Sequence, residues 1–274
     1  MRRYRSGQTG QTVNLLAQPS QVRILFGAHM KLSLIYRDFF FITDTSSNLL
    51  YFEYMEEIFR PVADKVKSVL EFESSGHDYY HAERVLNNAL HIQEKEAAGD
   101  RYVIGISALI HDVCRPWEKE TGKSHFGDEA LERIRHMLVE IGEKEEVITS
   151  VLEVVRLHDM YEWNNPQEKS IELQIIQDAD NLDAIGALGI GRTFAFGGAH
   201  GLDMYIPGEN HHFDTEFVED PNHRTSTIAH FYEKLLKLRE NMNTQTGKKL
   251  GDIRHNRMTT FLDDFFQEWN GLYK

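Results

Sequence analysis

A single cysteine, Cys114, stands among the 274 residues. No internal disulfide can form, which suits a reducing compartment, and the location expected is cytoplasmic. No apolar run approaches the roughly eighteen residues of a membrane span, so no membrane partner is expected. Basic residues are in short supply: 30 Lys and Arg face 43 Asp and Glu, a formal net charge of −13. Nonspecific duplex binding needs a basic surface to displace counterions, so duplex nucleic acid is not an expected partner either. The glycine-rich stretch from Gly186 to Gly198 spells neither a Walker loop nor a dinucleotide fingerprint, and reads instead as the close of a helix followed by a bend. No internal repeat or low-complexity tract stands out, and no heptad pattern speaks to oligomeric state. What remains is one domain whose 41% hydrophobic content can fill a sizeable core.

Acidic residues are missing altogether from the first 37 positions, where six basic residues stand. The remainder carries 24 basic and 43 acidic residues, so residues 1–50 read as a basic leader foreign to the domain at 51–274. Pro19, Gln21 and Arg23 interrupt any secretory core. A disordered tail or gene-model extension is the preferred reading, with organellar import ranked behind it.

Beyond residue 50 the pattern is nearly all helical, with helices expected over 53–72, 79–97, 101–114, 124–141, 144–159, 169–187, 222–243 and 248–270. Gly197 to His223 reads as a long irregular insertion before the last two helices. Three stretches carry ionisable groups in apolar helical contexts, where lost solvation must be compensated by a partner or a metal. His81 shares a face with Val85, Ala89 and Ile92. His111 and Asp112 close the apolar segment Val103–Ile110, and neighbouring helical positions about 100° apart can lean toward one ion beside the axis. Asp180 lies in a helix so apolar all round that periodicity cannot separate it from Asp178 and Asp183. A lone His-Asp pair proves little, since three occur here, at 77–78, 111–112 and 158–159.

The ordered set is more specific. Gly76-His77-Asp78-Tyr79-Tyr80-His81, then Ala108-Leu109-Ile110-His111-Asp112, then Gln177-Asp178-Ala179-Asp180-Asn181-Leu182-Asp183, together with His230 to Leu238, resemble the HD-domain metal-dependent phosphohydrolases, in particular a small bacterial-type branch acting on nucleotides. The resemblance runs from about Met55 to Trp269. It implies an all-α, compact helical bundle, and it implies His81, His111, Asp112 and Asp180 as metal ligands.

Two imidazoles and two carboxylates form a mixed nitrogen and oxygen set that suits one divalent ion, Mn, Fe(II), Co, Ni or Mg, better than a closed structural zinc. Asp112 then serves twice, as a ligand and as acceptor from an attacking water. Arg84, three residues after His81, is the leading cation for substrate phosphates and a catalytic candidate. Arg115, Lys119 and Lys123 on a loop after the His-Asp pair, and Arg192 further on, are further substrate-binding candidates. Lys234 and Lys237 match the carboxy-terminal motif or flank an amphipathic helix. His125 and His158 fall where two-metal members of the superfamily carry extra ligands, but one ion is preferred to two. His158, with Asp159, is placed near the substrate or the water instead. Asp78 reads as the cap of the His81 helix, and Cys114 as an apolar filler. The activity expected is hydrolysis of a phosphorylated, nucleotide-like small molecule, with nucleoside triphosphate to monophosphate and pyrophosphate to be tested first. Phosphodiesterase or monophosphatase action, and a nucleotide-sensing module without turnover, are the alternatives.

Overall fold

The computed structural model describes residues 39–43, 49–53, 57–71, 76–160, 168–212 and 225–272. The chain divides into two compact units, Met1–Glu56 and Glu57–Lys274. In the first, β1 (Phe39–Thr43) pairs antiparallel with β2 (Leu49–Glu53), with Phe41 opposite Tyr51. Both strands are rich in aromatic and branched residues, the composition of a pleated ribbon. This hairpin takes up part of what the sequence pattern assigned to a disordered leader, and residues 1–38 lie outside the described residues. It also claims Glu53, so the first helix starts later than expected.

The second unit is helical among its described residues. A 3-10 turn at Glu57–Phe59 leads into α1 (Arg60–Leu70), followed by α2 (Tyr79–Glu96), α3 (Arg101–Ile110), α4 (Arg115–Thr121), α5 (Asp128–Glu140), α6 (Glu145–Leu157), α7 (Ile171–Asp183), α8 (Gly186–Ala199), α9 (Thr227–Glu233), a 3-10 segment at Leu235–Asn241, and α10 (Gln245–Trp269). Side-chain caps explain several starts: Asp78 accepts from the His81 amide, Asp100 from Tyr102 and Val103, Ser170 from Leu173, Ser226 from Ala229 and Thr244 from Gly247. No helix among the described residues is long and apolar enough to cross a membrane.

Helix α3 is the centre of this unit, with every residue from Val103 to Ile110 buried. It packs on α1, α2, α6 and α7, and α2 packs on α7. A helix apolar on all sides has nowhere to go but the interior. Gly105 lets α3 come close to the 3-10 turn, because a Cβ there would run into the fully buried ring of Phe59.

Several expectations are corrected. The helix expected over 101–114 stops at Ile110, and the loop expected to carry Arg115 and Lys119 is the short helix α4, opened by a proline in its first turn and closed by Gly122 at φ +71°. The glycine-rich stretch is not a bend but α8. Only its first residue, Gly186 at φ +77°, makes the break from α7. The irregular segment therefore begins after Ala199, and its residues 213–224 lie outside the described residues. The helix expected over 222–243 is divided into α9 and the 3-10 segment.

Candidate metal centre

Three helices that pack on one another deliver the four expected ligands to one place. His81 sits in the first turn of α2, held by the Asp78 cap at 2.8 Å from the His81 amide. His111 and Asp112 follow the last residue of α3, and Asp180 lies on α7. His81 Nε2 lies 3.3 Å from His111 Nε2, 3.5 Å from Asp180 Oδ1 and 3.5 Å from Asp112 Oδ2. His111 Nε2 is 3.5 Å from Asp112 Oδ2 and 3.9 Å from Asp180 Oδ1. His81, His111 and Asp112 are buried, while Asp180 keeps 27% of its side chain exposed and marks the open side.

The outer ring nitrogens fix what the inner ones present. His111 Nδ1 donates to the Ala108 carbonyl at 2.8 Å, and His158 Nδ1 to the Val155 carbonyl at 2.6 Å. His81 Nδ1 donates to Asp183 at 2.8 Å, and His125 Nδ1 to Glu118 at 3.0 Å. Carbonyls and carboxylates can only accept, so each Nδ1 carries a proton, and in the neutral form of each ring the Nε2 lone pair is the one turned inward. Two such lone pairs 3.3 Å apart, with carboxylate oxygens beside them, repel one another unless a proton or a cation lies between. This donor set fits a divalent ion.

The charges in the cluster are shaped the same way. Burial alone would lower the His81 pKa, but its hydrogen bonds with Asp112 and Asp183 outweigh it and push the value up to about 9. His111 has no carboxylate hydrogen-bonded to it, and burial takes it down to about 4. Burial works against the charged form of Asp112, yet His111, Arg115 and His77 hold its carboxyl well below the usual range. Asp180 is lowered for the same kind of reason, with His111 and His81 overcoming burial.

Asp112 belongs to two neighbourhoods. Its Oδ2 faces His81, His111 and, at 2.5 Å, His77 Nδ1. Its Oδ1 faces Arg115 Nε at 3.0 Å, His125 Nε2 at 3.3 Å and His158 Nε2 at 3.8 Å. Arg115 also reaches Glu118 at 3.2 Å and Asp159 at 3.4 Å. The edge of Phe126 closes this side against His125 and His158. Three groups of side chains here could hold a metal among the described residues: His81, His111 and Asp180; His77, His81 and Asp112; and Asp112, His125 and His158.

The acidic competitors on α7 go elsewhere. Asp178 is buried and accepts from the backbone and side chains of Asn243 and Thr244, tying α7 to the start of α10. Asp183 is buried behind His81 and accepts from Arg84 Nε at 2.7 Å, Arg84 Nη2 at 2.9 Å and Arg192 Nη1 at 2.6 Å. Arg84 and Arg192 are thus engaged by Asp183 at the edge of the centre. Arg115 stands in it. Lys119 is exposed on α4, and Lys123 is paired with Glu129 at 2.6 Å. Lys234 and Lys237 lie at the junction of α9 and the 3-10 segment, and the buried Cys114 has its thiol pushed up to about 11 by burial. Sequence reasoning missed Glu118; its spacing of three from Arg115 and seven from His125 was the available signal.

Comparison with known proteins identifies the family of the segment that carries this centre. The HD domain family model matches residues 78–185, which contain His81, His111, Asp112 and Asp180. YpgQ of Bacillus subtilis is 34% identical over 209 residues, covering 76% of this chain and 91% of its own length. Among solved structures, a HD-superfamily hydrolase from Bacillus thuringiensis is similar at 36% identity, covering 78% of this chain and 97% of its own, with a TM-score of 0.59. The crystal structure of YpgQ in complex with ADP is similar at 31% identity, covering 77% of this chain and all of that one, with a TM-score of 0.56.

Proposed function

Because this chain belongs to the HD superfamily of hydrolases, we propose that it is a metal-dependent phosphohydrolase acting on a nucleotide-like small molecule, cleaving a nucleoside triphosphate to monophosphate and pyrophosphate. The observation that carries this reading is the convergence of inward-turned Nε2 atoms and carboxylate oxygens from α2, α3 and α7. His81, His111, Asp112 and Asp180 would hold one divalent ion. Bound there, such an ion supplies a Lewis acid for a phosphate oxygen and lowers the pKa of a coordinated water.

The chain's own residues do the rest. Asp112 Oδ1, turned away from His81 and His111, accepts from the attacking water and orients it. His158 Nε2, with its other nitrogen fixed on Val155, takes up or returns a proton on that side. Arg115, beside both Asp112 and Asp159, offers the cationic charge that equatorial phosphate oxygens need. The complex of YpgQ with ADP supports a substrate bearing linked phosphates on a nucleoside.

One ion is favoured over two by Arg115. Its guanidinium sits 3.0 Å from the Asp112 oxygen that a second ion would share with His125 and His158, and like charges at that range disfavour each other. The test is incubation of the purified full chain with a nucleotide panel and Mn, Co, Ni or Mg, with products identified by phosphorus NMR. Pyrophosphate release is expected. Orthophosphate or diester cleavage would redirect the reading to a monophosphatase or phosphodiesterase. Turnover unchanged in Asp112→Ala or His111→Ala would refute the site.

A further inference from the structure

Asp183 stands out as a fully buried carboxylate that lies behind a ligand rather than among the ligands and is met there by two arginines. It receives His81 Nδ1 at 2.8 Å, both Arg84 Nε and Nη2, and Arg192 Nη1. Arg192 also donates through Nη2 to the Gly76 carbonyl at 2.7 Å, so the group joins α7 to α8 and to the residues just before α2. Asp178 offers a contrast, because it is equally buried on the same helix yet bonds only to residues around the start of α10.

Resting on the metal-hydrolase reading above, we propose that Asp183 is the positioning residue of the centre: it holds His81 in the one ring orientation and tautomer that points Nε2 at the ion, while Arg84 and Arg192 neutralise it. A carboxylate on the outer nitrogen of a ligating imidazole fixes the ring and raises its basicity. An uncompensated carboxylate directly behind His81 would also repel substrate phosphates, and the two guanidinium groups leave the trio with a net positive charge at the edge of the site. This assigns Arg84 and Arg192 a first duty toward Asp183 rather than toward substrate. It also explains why three acidic residues occur on α7 within two turns: one meets the imidazoles, one holds His81 from behind, and one anchors α10.

The experiment compares wild type, Asp183→Asn and Asp178→Asn for Mn(II) affinity by calorimetry and for melting temperature without metal. An asparagine at 183 can present its amide N–H₂ to His81, which favours the tautomer with the proton on Nε2. A loss of about 10- to 100-fold in Mn(II) affinity is expected for Asp183→Asn, with kcat recovered in part at saturating metal. Asp178→Asn is expected to melt earlier but to bind Mn(II) within about threefold of wild type, because its partners are remote from the ion. Equal weakening by both variants would show that α7 stability alone is at work and overturn the proposal, as would unchanged affinity in a folded Asp183→Asn.

Should Asp183→Asn fail to fold, nitrogen-15 NMR of the zinc-loaded wild type decides: a slowly exchanging, low-field Nδ1 proton on His81 supports the assignment, and coordination through Nδ1 refutes it. Wild type that binds no divalent ion at all would instead overturn the hydrolase reading itself, so the two failures are distinguishable.

Discussion

Replacing Asp112 by asparagine removes one negative charge from the middle of a basic cluster, and the structure says how much that should cost. The carboxylate is buried and lies within 3.5 Å of His77, His81, His111, Arg115 and His125. Deleting one partner of a buried pair typically costs about 3–5 kcal/mol, since the other charge is left unpaired. Here the lower end applies. Arg115 keeps Glu118 and Asp159, His81 keeps Asp183, and the asparagine oxygen can still accept from Arg115. With about 3 kcal/mol lost, and about 2–4 °C per kcal/mol for a domain of this size, the metal-free variant should melt about 6–12 °C below wild type. Metal should widen the gap, because saturation at a hundredfold over Kd adds about 2.7 kcal/mol to the form that binds. Differential scanning fluorimetry in EDTA and in Mn(II) measures both. If the variant in EDTA melts within 2 °C of wild type, or above it, the carboxylate is not holding the metal-free cluster together and the reasoning fails.

Three further outcomes are expected. Mn(II) should raise the melting temperature of wild type and leave His111→Ala and Asp180→Ala unmoved, and a full metal-induced shift in either would remove that residue from the centre. Gly105→Ala should cost about 1–3 kcal/mol by overpacking, because the added methyl meets the Phe59 ring inside α3's tightest approach; urea unfolding that shows no loss would contradict that packing. Tyr102, whose hydroxyl donates to Glu143 at 2.6 Å, has its pKa pushed up to about 12 by burial and by that carboxylate. The folded state therefore keeps its proton after the unfolded chain has released it. This contribution is whole below pH 10 and is lost as pH rises through about 12. Tyr102→Phe should flatten that alkaline decline, and an unchanged profile would count against the pairing.

The sequence was most legible where the physics was local. His81 and the His111-Asp112 pair could be singled out because each ends or interrupts an otherwise apolar face, and the Asp78 cap follows from its place before a helical run. The three aspartates of α7 could not be sorted, since that helix is apolar nearly all round and its period favours none of them. Only the packing partners distinguish them: the imidazoles for Asp180, His81 and two arginines for Asp183, and α10 for Asp178. Arg84 and Arg192 looked like phosphate ligands because a carboxylate 99 or nine residues away is invisible to helical spacing. Helix α8 was misread for a different reason. Glycine lowers helix propensity, but Gly197 is where Thr227 of α9 comes close, and tertiary contact overrides the local preference.

Arg115 gives the centre a resident counter-cation, and this has an evolutionary side. The chain already owns two further imidazoles facing the same Asp112 oxygen that this guanidinium approaches to 3.0 Å. Exchange for a short neutral residue would vacate both the space and the positive field there. On the one-ion reading proposed above, a binuclear descendant would then require the exchange of one side chain rather than a new fold.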